Sequence, residues 1–186
     1  MTWTPPALFG APGAQPDDPY GLRMVVALEE VELLNGALWL AGKLDRGHFR
    51  RLSDFVNHAH GRILLRDAVV ANGSDPPGGQ ARGDAWIDPE ELEIIGQRAG
   101  RSDPPPEDMA IRKRQHPVTA FTSSHQVRGT LHVHQDADVT AFIRADAPPL
   151  LVMTDAVVTR LSDGSVVAEF ALALLSRRRT SAIMPE

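Results

Sequence analysis

The sequence predicts a mostly β chain made of two tandem five-stranded small barrels, each with one short helix; an open α+β sheet is the alternative. Three observations carry this expectation. The chain repeats itself, each copy opens on a hairpin, and each hairpin's second strand holds a glycine where a sheet would bend sharply. Val31, Gly42, Leu44 and Phe55 recur at one constant offset as Val118, Gly129, Leu131 and Phe142. One residue further on, Asp67-Ala68-Val69-Val70 recurs as Asp155-Ala156-Val157-Val158. A period this long signals two structural copies rather than a solenoid, whose units are shorter and more numerous.

The division that follows is an arm at 1–22, a first repeat at 23–97, a Pro-rich linker at 98–110 and a second repeat at 111–186. The arm is rich in Pro, Gly and Ala without a hydrophobic period, which reads as extended or disordered chain. Trp3, Leu8 and Phe9 are its docking anchors if it binds a neighbour. From Met24 to Leu34 apolar residues alternate with Glu29, Glu30 and Glu32, a strand pattern. Asn35-Gly36 then fits the two positive-φ positions of a type I′ turn, with Ala37 to Leu44 as the returning strand. Leu52, Phe55, Val56 and Ala59 fall at helical spacing, with Ser53 or a neighbour as cap; Val139, Phe142 and Ile143 repeat the pattern behind Asp138. Arg62 to Val70 and Leu150 to Thr159 read as buried strands. A polar loop leads to Ala85-Trp86-Ile87, the turn Asp88-Pro89-Glu90-Glu91 and the strand Leu92 to Ile95. In the second copy Val166 to Leu175, a turn through Arg177-Arg178-Arg179 and Ala182-Ile183-Met184 correspond.

At 186 residues the chain holds two small domains, each with little capacity to bury a core unless it packs on its twin or another subunit. Cysteine is absent, which removes disulfide and thiolate chemistry. The start of the sequence lacks the pattern of a signal peptide and no stretch approaches the roughly 20 apolar residues of a membrane span, so a cytoplasmic protein without membrane association is expected. A formal charge of −5 argues against nucleic-acid binding over the whole surface. Positive charge is concentrated instead in Arg112-Lys113-Arg114 and Arg177-Arg178-Arg179, for which solvated turns are the plainer reading.

Taken together, Val31-x-Leu33-x-Asn35-Gly36, Leu40-x-Gly42-x-Leu44 and Ile63-x-Leu65-x-Asp67-Ala68 resemble the first signature of the Sm-like (Sm and Lsm) small barrels. The short fourth strand, polar turn and fifth strand are similar to the second signature. The resemblance implies edge-to-edge assembly, with the fourth strand of one unit pairing the fifth of the next, and a tandem chain would build a ring from half as many chains. It also implies RNA contacts in two loops. A helix-length insert carrying Asp54 and Asn57 occupies the first, with Ala141 and Arg144 as their counterparts; only the second copy's arginine turn has suitable charge in the other. The acidic and basic turns would suit alternation of the two copies, because opposite potentials favour one neighbour over another.

Candidates for chemistry are few. His132-x-His134, with His125 and His116 nearby, places two imidazoles on one strand face, a pattern that suits zinc, copper or nickel. Leu131 and Val133 take the inward phase, so the pair points outward, and Asp45 and Gly47 stand at the matching positions of the first copy. His58 and His60 read as turn residues. Asp67 and Asp155 have the chemistry of acid/base residues, but a carboxylate accepting turn N–H bonds at a strand end is the preferred reading. No nucleophile elbow, phosphate-cradling glycine loop or zinc-binding helix occurs, and 5% aromatic content leaves few platforms for stacking bases. The expectation is a non-enzymatic scaffold or adaptor without cofactor, forming a homo-oligomer or binding another protein. The alternatives are RNA or single-stranded DNA binding through Arg112, Lys113, Arg114, Arg177, Arg178 and Arg179, and a metal protein or small enzyme using His132 and His134.

Overall fold

The computed structural model describes residues 28–72, 76–98 and 112–186, and the chain is mostly β. The expected arm, the opening of the first strand at 24–27 and the linker from 99 onward lie outside the described residues. The first copy comprises β1 (Leu28–Leu34), β2 (Leu38–Asp45), α1 (Leu52–His58), β3 (Ile63–Asn72), β4 (Gly83–Ile87), a 3-10 turn (Pro89–Glu91) and β5 (Ile94–Gln97). The second comprises β6 (Lys113–Phe121), β7 (His125–His134), α2 (Val139–Arg144), β8 (Leu150–Arg160), β9 (Val166–Ser176) and β10 (Ala182–Pro185). No helix among the described residues is long and apolar enough to cross a membrane.

All the described strands join one ten-stranded antiparallel sheet in the order β10-β6-β7-β8-β9-β5-β1-β2-β3-β4. Two separately closed barrels are therefore not what the ladders describe. Within each copy the order is the same, fifth-first-second-third-fourth, and the copies meet where β5 pairs with β9. The cause is the length of β9. It runs beside β8 along one edge and offers Leu172 to Leu175 on the other to the short, apolar β5.

Two hydrophobic clusters lie on either side of this junction, and each borrows from the other copy. Leu34, Trp39 and Ile94 pack with the second copy's Val118, Val127, Leu131 and Phe170. Leu150 and Leu174 pack with the first copy's Val31, Leu44, Leu52 and Leu65. Successive strand residues point to opposite faces, so the doublets Leu33-Leu34, Ile94-Ile95 and Leu174-Leu175 send one member into each cluster. A strand buried on both faces needs such doublets instead of alternation.

The repeated glycine and the repeated Asp-Ala form one device. Ala41 faces Val69 and Lys43 faces Arg66, so Asp67-Ala68 is accommodated as a bulge opposite Gly42. Arg128 faces Val157 and Thr130 faces Thr154, which sets the second bulge opposite Gly129. A Cβ on Gly42 would lie 2.7 Å from the Arg66 carbonyl oxygen, and one on Gly129 would lie 2.9 Å from that of Thr154. Asp67 and Asp155 both have φ of 52°, a left-handed conformation that aspartate tolerates better than most residues. They sit inside their strands, not at strand ends as the sequence reading placed them, because the bulge needs a residue that turns left-handed mid-strand.

The hairpin turn also differs from expectation. Among the described residues only Asp67 and Asp155 combine a side chain with positive φ, so Asn35 does not, and the turn is not type I′. Gly36 has φ of 81°. The Asn35 side chain instead accepts from Ala37 N at 3.2 Å and Leu38 N at 2.8 Å, and its own N–H donates to the Leu38 carbonyl. Thr122 repeats the arrangement through its hydroxyl, accepting from Ser124 N at 3.4 Å and His125 N at 3.0 Å. A short polar side chain thus stands in for a backbone turn in both copies. At the helices, Asp138 caps α2 by accepting from Ala141 N, whereas Arg51, at the N-cap position before α1, makes no side-chain cap and Ser53 lies inside the helix. Burial of Leu52 and Val56 holds α1 in place.

Candidate functional site at the junction between the copies

Beside the β5–β9 ladder lies a buried polar knot. Glu93 precedes β5; its N–H donates to the Leu34 carbonyl, and its own carbonyl accepts from Ser176 N. Its carboxylate turns inward and is only 4% exposed. Thr122 Oγ1 donates to Oε2 at 2.7 Å, Ser123 Oγ donates to Oε1, and His125 Nδ1 lies 3.3 Å from Oε2. Burial alone would push the Glu93 carboxyl up, but the bonds from His125, Ser123 and Thr122 together with the charge of His125 outweigh it and hold the group below its ordinary value. The serine bonds the carboxylate and not the imidazole, so this is no nucleophile–base pair. It fastens the β6–β7 turn of the second copy to the first copy's last strand.

Beyond the same end of the ladder, past the Ser176–Glu93 backbone bond, the basic turn of the second copy sits on the acidic turn of the first. Arg178 Nη1 reaches Glu90 Oε2 at 3.1 Å, Arg179 Nη2 reaches Glu91 Oε2, and Arg179 Nε donates to the Glu90 carbonyl at 3.1 Å. Arg177 turns away from both carboxylates. Its Nε and Nη1 donate to the carbonyls of Pro148 and Ile143, each at 2.8 Å, and the guanidinium lies 5.0 Å from the Phe142 ring centre. The other basic cluster is elsewhere. Phe121, at the far end of β6, pairs with Ala182 just beyond the arginine turn, whereas Lys113 begins β6 and pairs with His134. Eight residues of strand, roughly 26 Å, separate Lys113 from Phe121, so the two clusters do not form one patch.

The histidine pair lies on the outward face of β7, where His132 is half-buried and His134 exposed. His132 Nε2 is 2.8 Å from Thr154 Oγ1, and burial, with the nearby Lys113 charge, depresses its pKa against the opposing pull of Asp155. His134 Nδ1 accepts from Asp136 N at 3.3 Å. No three His, Cys, Asp or Glu side chains among the described residues come together as metal ligands. His58 Nδ1 donates to the Asp54 carbonyl at 2.7 Å and its ring stacks on Phe49. Asp67 pairs with Lys43 at 3.0 Å on the sheet surface. No family model, curated protein or solved structure matches the chain.

Two outer strands complete the picture. β4 pairs only with β3 and β10 only with β6 among the described strands. Trp86 on β4 is 65% exposed and Met184 on β10 is 51% exposed. The pairings put Trp86 in the place that Leu174 holds in the second copy, and Ile183 in the place that Ile95 holds in the first. Leu174 and Ile95 face each other at the junction and are buried. Glu93 went unnoticed in the sequence, although a lone carboxylate between Leu92 and Ile94-Ile95 was the available signal.

Proposed function

We propose that the chain is an Sm-like tandem acting as a non-enzymatic oligomeric scaffold, in which β4 of one chain pairs with β10 of the next. The observation that carries this reading is the internal β5–β9 ladder: the same two strand positions that pair there are the ones left open at the ends of the sheet. An exposed edge with a large apolar side chain is a template for another strand unless something covers it. Transferring the internal register to the outer edges pairs Ile183 with Trp86, Ala182 with Ile87 and Met184 with Ala85. Such a contact is head-to-tail, and it gives a ring if the rotation closes.

The nucleic-acid alternative draws less support, since Arg178 and Arg179 already face carboxylates and the two basic clusters stand apart. Native mass spectrometry of the full chain at low micromolar concentration tests the scaffold reading. A closed oligomer without bound nucleic acid is expected; a monomer overturns the assembly, and a retained oligonucleotide overturns the scaffold role.

A further inference from the structure

A cavity of about 680 Å³ lies between the end of α1, the end of α2 and the β9–β10 turn, in the size range of small-molecule sites. Val56, Ala59, Ile143, Leu150 and Ile183 give it apolar walls. Two polar side chains line it with unfinished bonding. Arg177 is fixed through Nε and Nη1 to backbone carbonyls, yet its Nη2 is buried without a hydrogen-bond partner. Asn57, one residue along α1 from Val56, buries Oδ1 in the same condition. A buried donor left unmatched is costly, the more so when charged, so a fixed guanidinium with a spare N–H group at a cavity wall is a pre-built site for a hydrogen-bond acceptor.

We propose that this cavity binds a small organic monocarboxylate, its carboxylate on Arg177 Nη2 and its hydrocarbon body against the apolar walls. The charge balance selects a monoanion. Arg144, Arg177 and Arg178 line it together with Glu90 and Asp146, a net of one positive charge that a monoanion balances and a phosphate dianion exceeds. Burial, only partly offset by Asp146, already weighs on the Arg177 charge, which a bound carboxylate would relieve. The site occurs once among the described residues. Its counterpart in the repeat would need Arg144 for Asn57 and Pro89 for Arg177, and a proline has no charge to offer. The inference is independent of the assembly reading, because neither outer strand edge supplies the anchoring groups.

Ligand-observed saturation-transfer NMR on the full chain tests it, with hexanoate, hexan-1-ol and uridine monophosphate as probes. Hexanoate should bind about tenfold or more tightly than hexan-1-ol, the factor expected of one charge-assisted bond. Arg177→Met should remove that preference. Ala59→Phe, which leaves the arginine in place and fills the cavity, should abolish binding with the thermal melt retained, so the test survives if Arg177→Met fails to fold. Equal affinity for hexanoate and hexan-1-ol, absence of binding, or displacement of hexanoate by an equal concentration of uridine monophosphate would each overturn the proposal.

Discussion

His125 Nδ1 stands 3.3 Å from Glu93 Oε2, with both side chains almost wholly buried, and the contact ties a turn of one copy to the edge of the other. Because the folded Glu93 carboxyl lies below its ordinary value, the unfolded chain takes up the proton first as pH falls. The stability contributed by the knot is therefore complete above the ordinary carboxylate range and is lost as pH drops through the folded value. Urea unfolding followed from pH 6 down to pH 3 should show stability falling over the acid part of that range. Glu93→Gln should flatten the fall and cost about 1–3 kcal/mol at pH 7.

Gly42 and Gly129 answer the two bulges, and the obstacle in each case includes a backbone carbonyl that cannot swing aside. Gly42→Ala and Gly129→Ala should each destabilise by about 1–3 kcal/mol, read as a lowered melting temperature. Gly78→Ala is the control. Nothing lies within 4 Å of a Cβ there, and its φ is not in the left-handed range, so the change should be neutral or slightly stabilising.

Trp86 and Ile183 are predicted to meet across chains, and the head-to-tail geometry gives a sharp mixing test. Trp86→Asp blocks β4 and leaves β10 able to pair; Ile183→Asp does the reverse. Each variant alone should be monomeric by light scattering. Mixed in equal amounts they should give a one-to-one heterodimer and no larger species, whereas a symmetric contact would give no such complementation.

Glu90 and Glu91 sit against Arg178 and Arg179 in exposed pairs, which contribute little to stability. Glu90→Ala with Glu91→Ala should leave the melting temperature nearly unchanged. Freeing the two guanidinium groups should raise non-specific affinity for a labelled oligouridine, measured by anisotropy, and steepen its salt dependence. An intact chain that already binds tightly with a steep salt slope would speak for the nucleic-acid role instead.

Much of the fold was legible because the duplication offered two samples of each element. Gly42 with Gly129, and Phe55 with Phe142, mark the bend and the helix in the sequence itself. What escaped was the pairing between copies. The Leu33-Leu34 and Ile94-Ile95 doublets fell within segments read only as strands, since periodicity reports that a residue is buried and not which of two cores receives it. The turn at Asn35 misled for a related reason: asparagine serves equally as a positive-φ residue and as a side-chain acceptor, and here the latter won. The cavity had no linear signal, because Asn57 and Arg177 come from different copies.

The ladder between β5 and β9 joins residues 94–97 to residues 172–175, which sets an order on biosynthesis. A ribosome that has finished the first copy has released β5 with one side unclaimed, and its natural partner is still to be translated. Until β9 emerges, Ile94 and Ile95 are a sticky margin that a neighbouring nascent chain can occupy. Covalent tandem linkage answers that hazard, because the correct partner arrives on the same polypeptide at high effective concentration.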